Sequence, residues 1–93
     1  MIYAIATLSV KNIDKLTAYR EHAAQALAKH GGKVVSTSAA PLGLEGTPDL
    51  ADAIAILSFP DKESSLNWIN DGDLAEVHAL RRSAGKSEVT LLG

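Results

Sequence analysis

The chain has 93 residues, enough for one small domain and too few for a second core, which sets the expectation of a single domain over residues 1–93. Hydrophobic residues make up 46% and charged residues 22%, a globular balance rather than a disordered one. A formal net charge of −2 with dispersed Lys and Arg offers no basic face for nucleic acid, and the absence of cysteine removes disulfides, thiolate nucleophiles and thiolate metal ligands.

Met1 to Val10 is apolar but lacks a basic leader and a small-residue cleavage site, so it is read as a strand rather than a signal peptide. No run approaches the ~20 apolar residues of a membrane helix. With the lack of cysteine, these features suggest a cytoplasmic protein with no membrane partner.

The first strand, Ile2 to Val10, places Ile2, Ala4, Ala6, Leu8 and Val10 on one side and Tyr3, Ile5, Thr7 and Ser9 on the other. Asn12 is positioned to cap a helix over 13–30, whose apolar stripe is Leu16, Tyr19, Ala23, Ala26 and Leu27, and Gly31-Gly32 should stop it. Lys33 to Ala40 reads as a second strand. Pro41 to Asp49, with two prolines and two glycines, reads as loop. A third strand, Asp52 to Phe59, ends at Pro60. Asp61 then caps a short helix through Leu66, Trp68 and Ile69. Asn70-Asp71-Gly72 breaks it, and Asp73 with Glu76 looks like a capping box that restarts it toward Gly85. Ser87 to Leu92 reads as the fourth strand.

The order β-α-β-β-α-β is the ferredoxin-like α+β plan, a four-stranded antiparallel sheet with two helical segments on one face. Both sides of the first and third strands are substantially apolar, with Ala53, Ala55, Leu57 and Phe59 on one side of the third and Ile54 and Ile56 on the other. Helices cover only one face. The other calls for a second copy of the chain, so a homodimer through the helix-free face is expected.

Tyr3, Tyr19, His30-Gly31-Gly32, Leu44-Glu45-Gly46, Phe59-Pro60, Trp68 and Arg81 in this sequence resemble the small bacterial domain-of-unknown-function family 1330 over nearly the whole chain. The resemblance implies a dimeric α+β barrel. Members of that wider group include cofactor-independent monooxygenases, haem-degrading monooxygenases and small isomerases, many with a pocket between sheet and helices. Fold alone does not fix function. The chain departs from the family pattern at Asp61, where Ser is usual, and at Ile69 and Leu74, where aromatics are usual.

Arg81 carries the most informative charge: helical spacing puts it on one face with Leu74, Val77, Leu80 and Ala84. There it either pairs with an acid such as Glu45 or meets the carboxylate or enolate of a small organic acid or ketone. Glu45, in the loop, is a candidate general base or a turn residue, and His30 is a candidate proton shuttle or a helix cap. Tyr19 and Trp68 are candidates for lining a substrate pocket. His78 reads as solvated, about 90° from the stripe. A haem reading through Trp68 and His78 lacks the strand-one Asn used by haem-degrading relatives. No phosphate loop, dinucleotide fingerprint or His cluster is present, so neither metal nor cofactor is expected. Two functions stay open: an enzyme, monooxygenase- or isomerase-like, that works without a cofactor, and a non-catalytic dimeric metabolite-binding or interaction module.

Overall fold

A computed structural model describes residues 1–93. The elements run β1 (Ile2–Val10), α1 (Ile13–Ala28), β2 (Lys33–Ser38), β3 (Ala53–Phe59), α2 (Lys62–Asn70), a 3-10 turn (Gly72–Leu74), α3 (Ala75–Ser83) and β4 (Gly85–Leu92). The sheet order is β2-β3-β1-β4, with every neighbouring pair antiparallel. This is the expected ferredoxin-like arrangement, with β2 and the first helix each ending two residues early.

Local chemistry explains the boundaries. The Asn12 side chain accepts the Lys15 N–H at 3.1 Å and opens α1. At its end the Gly32 N–H reaches the Leu27 carbonyl at 2.8 Å and the Gly31 N–H reaches Ala28 at 3.0 Å, with Gly31 at φ +72°. That paired closure needs a left-handed residue, which glycine supplies without a Cβ penalty. Gly32 is also required sterically: a Cβ there would approach the Phe59 ring at 2.8 Å. Asp61 accepts both the N–H and the hydroxyl of Ser64 at 2.8 Å and opens α2. The second break differs from expectation. The capping acid is Asp71 rather than Asp73: its side chain accepts the Asp73 N–H at 2.9 Å, and α3 itself begins without a side-chain cap. The 3-10 turn already supplies α3 with its first bonded turn, so no capping box forms.

The sheet register puts Ala4, Ala6 and Leu8 beside Leu57, Ala55 and Ala53 under the helices. The main core joins Ala4, Ala26, Leu27, Leu57, Phe59, Trp68 and Leu74. A smaller cluster of Leu8, Leu16 and Ala84 closes the other end. The opposite face aligns Tyr3, Ile5 and Thr7 with Ser58, Ile56 and Ile54, and of these only Ser58 is buried. The molecule is accordingly only 16 Å thick in its smallest Cα extent, the depth of one sheet and one helix layer. No helix is long and apolar enough to cross a membrane.

Phe59 is 1% exposed in the middle of the main core. Phe59→Ala should cost about 3–5 kcal/mol, whereas Ile13→Ala, at a side chain 60% exposed, should stay within about 0.5 kcal/mol. Urea unfolding of the two variants checks this, and equal losses would contradict the assignment of the core.

Candidate functional site

Helix α3 turns the face of Leu74, His78 and Arg81 inward, so the buried stripe is rotated toward His78 relative to the expected Val77-Leu80 line. His78 is therefore not solvated; it is 2% exposed. His78 and Arg81 are three apart, one turn of the same face, and each satisfies the other.

Arg81 is 5% exposed, and its charge sits in the last turn of α3, where the helix dipole favours a cation. Its Nη1 donates to His78 Nδ1 at 2.8 Å and its Nε donates to the Ser87 hydroxyl of β4 at 3.1 Å. A guanidinium only donates, so His78 Nδ1 must be unprotonated and Nε2 must carry the hydrogen. That Nε2–H donates to the Trp68 carbonyl at 2.9 Å. The guanidinium carbon also lies 5.3 Å from the Trp68 ring centroid and 5.6 Å from that of Tyr19. Such cation–π contacts contribute about 0.5–2 kcal/mol each.

No carboxylate lies within ion-pair distance of Arg81; the ion pairs of the chain are Lys29–Asp71, Lys29–Asp73, His30–Asp71 and Lys86–Glu88. Two of its five N–H groups are bound by protein, at Nε and Nη1, which leaves three donors. No fully buried polar side-chain atom is left without a partner, so Nη2, which has none, is not fully buried.

Arg81 also lines a cavity of about 200 Å³ between the sheet and α1. Leu8, Leu27, Leu57, Trp68 and Arg81 form its buried interior. Val34, Thr37, Ser38, Ala39 and Arg20, all exposed, form its mouth at the β2 edge. Tyr19 lines it, and its hydroxyl makes no hydrogen bond within the chain. Both charged lining residues are arginines; no Asp, Glu or His faces the cavity.

Arg81, Tyr19 and Trp68 are thus brought together. Glu45 and His30 are not. Glu45 is exposed on the long loop, outside the cavity lining. His30 bonds Asp71 at 2.8 Å beside Lys29, whose Nζ is 2.7 Å from the same carboxylate. This cluster pins the end of α1 to the α2–α3 junction. Lys29 first, then His30 and the Asp73 N–H, hold the Asp71 carboxyl well below the usual carboxylate range. His78 and Ser87 escaped the sequence reading as supports of Arg81, although the spacing of three between His78 and Arg81 was a usable signal. No three acidic or His side chains gather to hold a metal ion. His78 has both ring nitrogens engaged and offers neither to a haem iron.

Burial, followed by the Arg81 and Arg82 charges, pushes His78 below its ordinary value of 6.5. The unfolded chain therefore binds a proton that the folded chain refuses. This contribution to stability is complete above about pH 6.5 and declines as pH falls below it toward the lowered folded value. Urea midpoints should drop from about pH 7.5 to about pH 5.5, and His78→Gln should flatten that drop. An equal drop in the variant would contradict the neutral, bonded His78.

The model of the family described as a domain of unknown function, DUF1330, matches residues 1–93. No curated protein matches in sequence. Among solved structures, a protein of unknown function from Rhodopseudomonas palustris is 21% identical with a TM-score of 0.76, over 98% of this chain and 79% of that one. A dimeric ferredoxin-like protein of unknown function from Jannaschia sp. CCS1 is 11% identical with a TM-score of 0.72, over 99% and 97%. SnoaB from Streptomyces nogalater, a cofactor-independent oxygenase, is 14% identical with a TM-score of 0.65, over 99% and 90%. At these identities the likeness shows the fold, that of ferredoxin-like and dimeric α+β barrel proteins.

Proposed function

The chain belongs to the DUF1330 family, and on that footing we propose that it is a homodimeric module that binds a small organic anion in the cavity between sheet and α1, with Arg81 as the anion anchor. One observation carries the reading: a guanidinium 5% exposed, with no acid partner and three free donors, borders an apolar cavity without a single acidic group. An isolated buried charge costs several kcal/mol unless something compensates it. His78, Ser87 and two aromatic faces compensate in part, and the free donors suit a carboxylate or enolate in bidentate fashion. Trp68 and Tyr19 flank that anion, and Arg20 at the mouth adds attraction.

Glu45 and His30 have no place in this reading as proton shuttles, because neither reaches the cavity. In a thermal-shift series, small carboxylates should stabilise the wild type by about 2.7 kcal/mol at a hundredfold excess over Kd. The matching amides should have little effect, and Arg81→Met should lose the response. A carboxylate response unchanged in Arg81→Met would remove the anchor.

A second reading, an enzyme, is favoured by the fold shared with SnoaB, which oxygenates without a cofactor. Here Arg81 would stabilise an enolate of a phenolic ketone while oxygen reacts. Oxygen uptake with such ketones, lost in Arg81→Met, would support it; no uptake over the protein-free rate would sink it.

The dimer rests on the uncovered sheet face. Ile5, Ile54 and Ile56 lie there half-exposed, Val35 and Leu92 are exposed, and the Jannaschia relative is dimeric. Native mass measurement at micromolar concentration should give two chains, and Ile56→Glu should give one. A one-chain mass for the wild type would contradict it.

A further inference from the structure

The dimensions of the cavity limit the body of the anion as sharply as Arg81 selects its head. Arg81 sits at one end, tied to Ser87 on β4 and stacked against Tyr19 and Trp68. The exposed residues Val34, Thr37 and Ser38 of β2 form the other end. Between them the floor crosses β1, β3 and β2, two interstrand spacings or roughly 10 Å. The walls along that path are Ala23 and Leu27 of α1 above Ala6, Ala55 and Leu57 of the sheet. None of them offers a side-chain hydrogen bond.

The volume of about 200 Å³ falls below the roughly 300 Å³ at which pockets for drug-sized ligands begin. It exceeds the roughly 150 Å³ of an apolar cavity that accepts one benzene molecule. One six-membered ring plus one carboxylate fits both the volume and the 10 Å path; a fused three-ring system overfills the volume and would protrude through the β2 mouth.

We infer that the ligand is a monocyclic monocarboxylate, bound with its carboxylate on the free N–H groups of Arg81 and its ring between α1 and the β1–β3 floor. The inference rests on the anion-binding reading above and adds the size and shape of the ligand. Ala23 lines the slot from α1, and a longer side chain there enters it.

Isothermal titration calorimetry with benzoate, acetate and 9-anthracenecarboxylate on the wild type, Arg81→Met and Ala23→Leu tests it. Benzoate should bind the wild type at least tenfold more tightly than either other acid. Ala23→Leu should weaken benzoate at least tenfold, and Arg81→Met should weaken benzoate and acetate alike. Acetate or 9-anthracenecarboxylate binding as tightly as benzoate would overturn the single-ring assignment while leaving the anion site standing. Benzoate affinity unchanged in Ala23→Leu would do the same. Should no carboxylate bind the wild type, or all bind Arg81→Met equally well, the anion-binding reading itself falls.

Discussion

A guanidinium buried without a carboxylate is the constraint around which the helical layer of this protein is arranged. The Trp68 carbonyl accepts from His78, His78 accepts from Arg81, and Arg81 donates on to Ser87. This chain of bonds links α2, α3 and β4 in one line. It holds the cation in a single orientation while leaving part of its donor set unused. The same low-dielectric surroundings that make the charge costly also strengthen its attraction for an anion. A neutral His78 is the condition for the whole line, since a protonated ring has no lone pair to offer Arg81.

The rest of the fold supports that arrangement. The 3-10 turn after Asp71 redirects the chain so that α3 presents Leu74, His78 and Arg81 to the sheet. The Lys29–Asp71–His30 cluster fastens the same junction to the end of α1. Small residues, Ala6, Ala23 and Ala55, keep sheet and helix apart only enough to leave a slot. Larger side chains at these positions would fill it, and Arg81 would then face apolar surface alone.

The sequence made the architecture legible because its periodicities are clean. Alternation in Ile2 to Val10, the caps at Asn12 and Asp61 and the Gly31-Gly32 stop each have one local physical reading, and the structure follows them. Arg81 was legible as an inward charge, since an i, i+3, i+4 stripe tolerates no ambiguity of that size. Its surroundings were less so. His78 lies near the border of the stripe, where a rotation of α3 by a fraction of a turn decides between solvent and core. That rotation follows from the 3-10 turn, whose position Asn70-Asp71-Gly72 signals but whose geometry it does not. Glu45 and His30 drew attention as lone titratable groups, but the loop carries Glu45 away from the cavity. Asp71, forty-one positions along the chain, engages His30. Pairings across such separations are set by topology and not by spacing.

The most direct measurement is a crystal structure with 4-bromobenzoate, the bromine located by its anomalous scattering. The account predicts carboxylate oxygens within hydrogen-bond distance of the Arg81 Nη atoms and bromine toward Val34 and Thr37 at the mouth. Bromine located outside the cavity, or a carboxylate turned away from Arg81, would contradict it.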